Sequence, residues 1–539
     1  MLSARYELIL STLWAQELQC GPVEPDVSFE ELGGDLEAAE AIVLDVLKVF
    51  RTRIPAQSLF GDTQTVRDMA LRLESLRRSD LQDSGHDVNG TFAAPVSFGQ
   101  QRFWVLHELM PNNPFYNVPY AFWLHGALDV TFLARALDGL ISRHEMLRTT
   151  FPEINGMPCQ AVSDSSSLQL EVINFDEDVE SGNEDTVLEL ARTEARRPFD
   201  LARGPIVRAL LLPTTHGRSL FVLLLHHIAV DGWSLNVMAR DLSEIYMAYK
   251  EKRSPQLPVL TSTYRKFAVW ERDWMRGPVL ARELNWWRAR LQGAPRALPL
   301  PVKGRRRPAV ASFAGSAIYF QVPEETVERL RGIARVSDST LFMALLAACH
   351  SFLALISDTT DIIVGTPVAR RTRPGFSDAV GYFANTIVMR GDCSGDPSFE
   401  DLVRRVRAWA VDAYAHQDLP FDVLVRDLIG DRDLSRSPLA QVLIQLEPAD
   451  AILTLPDVTS ERIDNLEGGA RSDLEFHFHE GSALNCQLVY AIDLFDDGVA
   501  HRLLSAFLML LDHFSRSPNE KVWRYRRFEE KLEGLGRQG

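Results

Sequence analysis

Cysteine is scarce in this chain, with only 5 among 539 residues, and the five positions are widely scattered. No two of them form a C-x-x-C pair, and none has the spacing of a metal-ligand set. Free thiols in a reducing compartment are the simplest interpretation, so we expect a cytoplasmic protein.

Long apolar runs are also missing. No stretch approaches about 18 consecutive apolar residues, so no membrane span is predicted. The first residues, MLSARYE, carry an acidic residue where a signal peptide keeps a basic start followed by an unbroken apolar run. Together these two absences predict a soluble protein without a membrane partner.

Basic residues are outnumbered, since 57 Lys and Arg face 73 Asp and Glu for a formal net charge of −16. Nucleic-acid binding needs clustered cations, so this balance argues against nucleic acid as the main partner. Hydrophobic residues make up 46% and charged residues 24%, which is ordinary globular usage and excludes wholesale disorder and collagen-like repeats. At about 150 residues per domain, the length predicts three or four structural units.

The first part of the chain changes character near residue 80. Residues 1–80 place apolar side chains at steps of three and four, which is typical of a small helical domain, with one helix predicted at 36–50. Residues 81–94 lose this periodicity and gain Ser, Asp, Gly and Asn, which indicates a linker.

Strand and helix patterns alternate in the remainder, with a Pro- and Arg-rich break near 293–308. This predicts an α/β fold of two lobes, at 95–275 and 276–525. The periodicity predicts helices at Leu133–Arg148, Leu235–Tyr249, Ser339–Ile356, Phe399–His416 and Val499–Ser515, and strands at Ser219–His227, Ser316–Val322 and Asp361–Thr366.

The most informative stretch is LLLHHIAVDGWS, residues 223–234. Successive strand residues face opposite ways, so His226 and His227 cannot both point into one site. One of them is expected to be buried and the other to be presented where the strand ends. Asp231 breaks the apolar run, and Ser234 can cap the helix that follows. A histidine at a strand-to-loop junction, with a carboxylate four residues on, can position a proton transfer.

Two other interpretations of this short pattern are open. A buried histidine pair followed by a turn aspartate would look the same, because H-x-x-x-D is a loose pattern. Paired histidines also bind metals, but no third ligand stands nearby, so no metal is expected.

The wider sequence resembles the condensation domains of non-ribosomal peptide synthetases, because seven boxes occur in that family's order. The boxes are 97–104 (SFGQQRFW), 143–151 (RHEMLRTTF), 226–234 (HHIAVDGWS), 264–270 (YRKFAVW), 380–386 (VGYFANT), 416–422 (HQDLPFD) and 432–439 (RDLSRSPL). Some positions depart from the family pattern, among them Gly99, which replaces the usual alanine, and Asp422, which replaces a glutamate.

The resemblance implies two lobes, each like chloramphenicol acetyltransferase, arranged in a V with two tunnels that meet at His227. It implies amide-bond formation between an aminoacyl or peptidyl thioester on an upstream carrier and the amine of an aminoacyl thioester on a downstream carrier. A thioester carbonyl is already electrophilic, so holding amine and carbonyl together in a dry site is the main task. His227 would take a proton or stabilise the tetrahedral intermediate, and both roles stay open.

The same resemblance gives other motif residues supporting roles. Asp231 is expected to be structural and to pair with an arginine of the 143–151 box, Arg143 ahead of Arg148. Asn385 is a candidate polar group near the site, with a turn residue as the alternative.

The remainder of the 226–234 box points to substrate handling and subtype. Gly232 would let the backbone approach the pantetheine arm closely. Trp233 followed by Ser234 resembles condensation rather than epimerisation domains, and the opening box resembles the subtype that takes an L-configured donor.

Residues 27–36, VSFEELGGDL, resemble the peptidyl carrier protein motif F-x-x-L-G-G-x-S-L. The serine expected after Gly34 and Asp35 is missing, since Leu36 follows directly. Either the carrier is inactive, or a serine that bears 4'-phosphopantetheine is left out of the sequence as a non-standard residue. We favour the second, because the rest of the motif is intact. The arm would lie at the start of the helix predicted at 36–50, where the helix dipole favours phosphate.

These features lead to a carrier–condensation didomain from a larger synthetase, which would depend on adenylation domains and a downstream carrier protein as partners. A coenzyme A-dependent acyltransferase of the same fold is one alternative. A degenerate, non-catalytic condensation-like domain that recruits other proteins is another.

Overall fold

The structure is a computed structural model. It describes residues 2–18, 20–21, 23–35, 38–39, 41–43, 45–46, 54, 56–61, 63–73, 87–88, 91–164, 167–174, 183–214, 217–302, 306–429, 433, 435–448, 453–463, 466, 468–481 and 483–527. Internal contacts divide the chain into two compact units, Met1–Ala93 and Ala94–Gly539.

The first unit has helical elements around a small apolar core. Helix α1 spans Leu2–Glu17, a 3-10 helix spans Ala56–Phe60, and residues 66–73 are helical. Trp14 and Phe29 meet edge to face with ring centroids 5.3 Å apart, and both side chains are buried.

The helix predicted at 36–50 is only partly among the described residues. Positions 38–39, 41–43 and 45–46 are helical there, and Ala39 and Val46 of the predicted apolar face are buried. Leu36, Leu47 and Phe50 lie outside the described residues.

The predicted linker, residues 81–94, contains some regular structure. Strands β1 (Asp87–Val88) and β2 (Thr91–Pro95) form an antiparallel pair. The division between the two units falls at the end of this segment, between Ala93 and Ala94.

The second unit is an α/β structure. Its helices are α2 (Phe98–Leu109), α3 (Val130–Arg143), α4 (Glu184–Ala195), α5 (Gly232–Lys250), α6 (Tyr264–Trp274), α7 (Pro278–Arg290), α8 (Glu324–Val336), α9 (Leu341–Ser357), α10 (Phe399–Ala415), α11 (Phe421–Leu428) and α12 (Asp497–Arg516). Its strands are β3 (Asn117–Gly126), β4 (Thr149–Thr150), β5 (Glu153–Ile154), β6 (Met157–Val162), β7 (Leu170–Val172), β8 (Val207–Pro213), β9 (Arg218–His226), β10 (Gly315–Val322), β11 (Asp361–Val368), β12 (Asn385–Asp392), β13 (Val442–Pro448), β14 (Val458–Ile463), β15 (Leu474–Glu480) and β16 (Leu484–Ala491). Short 3-10 helices lie at Pro114–Tyr116, Glu145–Arg148 and Val522–Arg527.

Two larger sheets organise this unit. Sheet one has the order β14-β3-β9-β8-β7, and sheet two has the order β10-β16-β15-β13-β11-β12. Most neighbours are antiparallel, whereas β7 pairs with β8, β11 with β13 and β13 with β15 in parallel. Each sheet contributes to its own apolar core, and the core of sheet two includes most of α9.

The boundary predicted at residue 276 does not separate the two sheets. Strand β14 comes from the second predicted lobe but pairs antiparallel with β3 in sheet one, with Val458 opposite Gly126. Phe376, Phe383 and Leu453 also pack into the core of sheet one. The chain therefore crosses over after residue 276, which agrees with a single compact unit from Ala94 onward.

The predicted helix Leu133–Arg148 is interrupted. Helix α3 ends at Arg143, and His144 is extended with φ −108° and ψ 98° before the 3-10 turn Glu145–Arg148. His144 is buried, and its Nε2 lies 3.0 Å from Asp241 Oδ2, so a tertiary contact of this side chain accompanies the break.

Among the described residues, no single helix has the length and apolarity of a membrane-crossing segment.

Candidate active site

Strand β9 carries both motif histidines to its end. His226 is its last residue and pairs with Asn117 of β3, whereas the backbone N–H of His227 donates to the Tyr116 carbonyl at 2.8 Å. His226 is buried, and His227 is half-buried. The two residues thus differ in exposure, with the half-buried one just past the end of the strand.

The His226 ring is part of the packing beneath the site. It is surrounded by the rings of Phe103, His107, Tyr116 and Phe199 at centroid distances of 6.2 to 6.4 Å. Burial, with a smaller effect of nearby His107 and His227, lowers the pKa of His226 to about 3. The Ile228 N–H donates to its Nδ1 at 3.1 Å, so this neutral ring carries its proton on Nε2.

The His227 ring is held from three sides. It stacks on Phe103 with centroids 5.3 Å apart and meets the Tyr382 ring edge to face at 5.2 Å. Its Nδ1 lies 2.7 Å from the Val230 carbonyl oxygen. A carbonyl only accepts, so Nδ1 carries the proton and Nε2 keeps its lone pair for another group.

Burial is the main reason that the pKa of His227 falls to about 3, and the positive charge of Arg471 lowers it further. Imidazolium is therefore disfavoured at neutral pH. The ring can accept a hydrogen bond through Nε2, and it is a weak final acceptor for a proton.

Asp231 is the centre of a buried polar cluster. It is the N-cap of α5 and accepts from the Ser234 N–H at 2.8 Å. Its other oxygen accepts from the backbone N–H groups of Phe383 at 3.0 Å and Ala384 at 3.2 Å. Ser234 Oγ lies 2.7 Å from Asp231 and accepts from the Gly381 N–H at 3.1 Å. Asp231 thus ties the start of α5 to the 380–386 box.

The predicted pairing of Asp231 with Arg143 is wrong. Arg143 Nε donates to Asp241 at 2.7 Å, and its guanidinium also donates to the Pro258 carbonyl at 2.6 Å. Helix α3 packs along α5, which places Arg143 beside Asp241 rather than beside the cap of α5. Arg148, the second choice, donates to the Ser163 carbonyl.

The arginine that pairs with Asp231 is Arg371, which the sequence interpretation missed. Its NH2 donates to Asp231 at 3.0 Å and to Ser234 Oγ at 2.8 Å, and both side chains of the ion pair are at most 3% exposed. Its NH1 donates to the carbonyls of Phe376 and Ala379 at 2.6 Å each. The sequence signal was the run of arginines at 370, 371 and 373 directly after a buried strand, although nothing local links it to Asp231.

The residues after Asp231 face different neighbours. Gly232 lies against β13, because a Cβ built on it would be 3.2 Å from Glu447 Oε1. The Trp233 side chain is exposed, and its Nε1 donates to the Ser377 carbonyl at 2.8 Å.

Asn385 uses its side chain to hold a turn. Its Nδ2 donates to the carbonyls of Gln417 at 2.9 Å and Leu419 at 2.8 Å, and its Oδ1 accepts from the Phe421 N–H at 2.9 Å. Both ends of the amide are thus bonded to the backbone of the 416–422 box. Asn385 is itself the first residue of β12, so the turn that it holds is that of the 416–422 box and not its own.

The carrier-like motif lies in the first unit. Gly33 has φ +80°, and a Cβ on Gly34 would meet the Phe29 ring at 2.4 Å, so both glycines are required by the local backbone. Asp35 Oδ1 accepts from the Ala38 N–H at 2.9 Å, and Leu36 lies outside the described residues. No hydroxyl stands between Gly34 and Ala38, so the residues present do not fit a covalent phosphopantetheine arm.

The described residues contain no group of three or more His, Cys, Asp or Glu side chains placed to hold a metal ion. All five cysteines are free thiols, and only Cys20 is exposed.

Comparison with known proteins decides the family. A profile of the condensation domain matches residues 92–531, which is most of the chain. The chain belongs to the condensation-domain family. This condensation domain is 38% identical over 524 residues to a component of linear gramicidin synthase from Brevibacillus parabrevis, covering 96% of this chain and 7% of that protein. It is 34% identical over 536 residues to a dimodular nonribosomal peptide synthase of Bacillus subtilis (strain 168), covering 96% of this chain and 22% of that protein.

The fold agrees with this assignment. A solved complex of the X-domain and OxyB from teicoplanin biosynthesis is 27% identical, with a TM-score of 0.71, over 81% of this chain and 96% of that one. The chain spans less than a quarter of the length of each of the two synthases named above. Their alignments nevertheless cover 96% of it, so they include most of the first unit.

Proposed function

We propose that this chain is a fragment of a non-ribosomal peptide synthetase that forms an amide bond between two carrier-bound thioesters. The observation that carries the proposal is the geometry of His227, a neutral ring at the end of β9 whose Nδ1 is bonded to Val230. A relative that is named as a nonribosomal peptide synthase supports the reaction class.

The low pKa of His227 favours positioning over full proton transfer. Nε2 would accept a hydrogen bond from the acceptor amine and aim the nitrogen lone pair at the donor carbonyl. The amine nitrogen then bonds to the acyl carbon, the carbon–sulfur bond breaks, and the proton lost by the amine leaves with the carrier thiol.

Replacing His227 by alanine tests this role. We expect amide formation from charged donor and acceptor carriers to fall by about a hundredfold or more, because the positioning contact is lost. His125→Ala is the matched control, since His125 is exposed at the end of β3. Full activity of the His227→Ala chain would contradict the proposal.

The pH profile provides a second measurement. A ring with a pKa of about 3 does not titrate near pH 6.5, so the rate should follow the acceptor amine, whose pKa is about 8 in a free α-amino group. We expect kcat/KM to rise with pH toward that value and to show no additional inflection near 6.5. Such an inflection, lost in His227→Ala, would instead indicate a titrating base.

A non-catalytic recruitment domain is the second candidate, because the X-domain, with a similar fold, was solved in complex with OxyB. The complete set of His227, Asp231 and Gly232 in this chain supports catalysis instead. Binding of partner proteins, with no amide product whatever donor and acceptor the carriers bear, would favour recruitment. Turnover of soluble acyl-coenzyme A would favour the free-standing acyltransferase.

We further propose that the first unit is a peptidyl carrier protein, that its attachment serine belongs between Asp35 and Leu36, and that the donor terminus is L-configured. Support comes from the LGG motif and from relatives aligned across 96% of the chain. The mass of the intact protein tests the carrier: one serine plus one phosphopantetheinyl group above the mass of the 539 residues is expected. A mass equal to that of the 539 residues would identify an inactive carrier. Adenylation domains, a downstream carrier and a cytoplasmic location remain predictions.

A further inference from the structure

Strand β15 turns a polar side away from the apolar core of sheet two. Along β15, Leu474, Phe476 and Phe478 point into the core, so the alternate residues Glu475, His477 and His479 share the opposite face. This side of β15 therefore offers hydrogen-bonding and charged groups.

Glu447 of β13 lies on the same side of the sheet and beside Gly232. The parallel register places Glu447 opposite His479, and its carboxylate lies 3.8 Å from the His479 ring. The other carboxylate oxygen lies 3.2 Å from the position that a Cβ on Gly232 would take. Gly232 follows the Asp231 cap and stands five residues beyond His227.

The Glu447 carboxylate is available to a ligand. Its side chain is 36% exposed, and no closer charged partner than His479 is found in the described part of the chain. Glu475, on the same face, contrasts with it, because it is buried and accepts from His477 at 2.9 Å and from the Ser472 N–H at 3.2 Å.

The two substrates differ in charge, which indicates the one that meets Glu447. The donor carbonyl develops negative charge on its oxygen during the reaction, and a carboxylate beside it would oppose that change. The acceptor brings an amine and a side chain, and a cationic group on it would be attracted. A carboxylate beside Gly232 thus suits the acceptor.

We propose that Glu447 is a specificity-determining residue that selects an acceptor amino acid with a cationic side chain. This inference rests on the proposed function, since it assumes that an aminoacyl thioester passes Gly232. The remaining polar groups of the face, including Gln445 and His477, fit a polar side chain better than an aliphatic one.

Competition between two acceptors of similar length tests the inference. The full chain is supplied with a charged donor carrier and a downstream carrier charged with either lysine or norleucine. We expect kcat/KM for lysine to exceed that for norleucine by about tenfold or more, because a charged hydrogen bond is gained. In Glu447→Gln the ratio should fall close to one, with the norleucine rate little changed.

Glu480→Gln is the matched control. Glu480 is the next residue after His479, faces the other side of β15, and pairs with Arg331 at 2.6 Å. Its variant should keep the lysine preference of the parent. Glu447→Lys should reverse the preference, so that glutamate is used better than lysine.

Four outcomes overturn the inference. Rates for both acceptors that Glu447→Gln leaves unchanged remove Glu447 from selection. An equal loss for lysine and norleucine assigns it to the common amine instead of the side chain. Turnover of both acceptors without preference in the parent leaves the proposed function standing and defeats the inference, whereas no amide from any acceptor defeats both.

Discussion

At the scale of single residues, Asp231 links distant parts of the chain. Its two oxygens accept from the N–H groups of Ser234, Phe383 and Ala384 and from the guanidinium of Arg371. A buried carboxylate is tolerated only when its hydrogen-bonding capacity is filled in this way. The motif aspartate thus orders the loop between His227 and α5 without touching the ring.

A double-mutant cycle tests the corrected partner. We expect Asp231→Asn and Arg371→Met each to lower the free energy of unfolding by about 3 to 5 kcal/mol, because each leaves a buried group without its partner. The pair should couple by more than about 1 kcal/mol, whereas Asp231→Asn and Arg143→Met should be additive within about 0.5 kcal/mol. Urea unfolding of the full chain measures the free energy of unfolding of each variant and so gives both coupling energies. Coupling to Arg143 instead would contradict the structure.

Gly99 has a local explanation in the same region. A Cβ on Gly99 would come within 2.7 Å of the Tyr382 ring, which packs edge to face on His227. The glycine that departs from the family pattern therefore makes room for a large aromatic side chain at position 382.

We predict that Gly99→Ala slows amide formation by about tenfold or more, because Tyr382 must shift and His227 loses a contact. The clash should also lower the thermal stability of Gly99→Ala. Adding Tyr382→Leu should restore much of that stability, since leucine lacks the ring atoms that clash. Tyr382→Phe keeps those atoms and serves as the control that should not rescue. If the two double variants unfold at the same temperature, the Tyr382 ring is not what opposes a Cβ at position 99.

At the scale of elements, α9 is buried around nearly its whole circumference. His350 lies within it and packs against β12, where a Cβ on Gly391 would meet the ring at 2.4 Å. Burial lowers the pKa of His350 to about 3. The helix thus encloses a neutral imidazole that must gain a proton when the chain unfolds in acid.

This predicts acid sensitivity with a definite sign. The unfolded ring has a pKa near 6.5, above the folded value of about 3, so the unfolded chain binds the extra proton first as pH falls. Stability is therefore retained above pH 6.5 and lost toward pH 3. In the parent chain the free energy of unfolding should fall as pH falls below about 6. His350→Leu should make that fall smaller by up to about 1.4 kcal/mol per pH unit, as measured by urea unfolding at pH 7, 6 and 5.

His125→Leu provides the comparison, because it removes an exposed histidine. Its pH dependence should match that of the parent chain. If the free energy of unfolding changes equally with pH in the parent chain, His350→Leu and His125→Leu, then His350 is already protonated in the folded state.

At the scale of the whole molecule, sheet one is completed from far along the chain. Strand β14 forms its edge beside β3, and Phe376, Phe383 and Leu453 fill its core. The predicted first lobe, residues 95–275, therefore lacks a strand and part of its own interior.

We predict that the fragment 94–275 does not unfold cooperatively, because β3 would be left as an open edge and the core would be incomplete. The fragment 94–527 should unfold cooperatively. Hydrogen exchange and thermal unfolding measure the difference. Native-like protection of β3 and β9 in the short fragment would contradict the crossover.

The sequence by itself determined the local features of this protein. The α/β pattern, the helices Ser339–Ile356 and Val499–Ser515 and the strand Ser219–His227 were predicted to within about two residues of the observed elements, because periodicity and caps act over a few neighbouring residues. The sequence also predicted one buried histidine and one presented where the strand ends, and His226 is buried while His227 is half-buried.

Only the tertiary structure decided the long-range pairings. Arg371 is 140 residues from Asp231, and several arginines compete for one carboxylate, so no local pattern selects among them. The same holds for β14 beside β3 and for Glu447 beside Gly232. Contacts of this kind depend on how the chain returns to a surface that is already formed, and on which buried polar groups must then be matched.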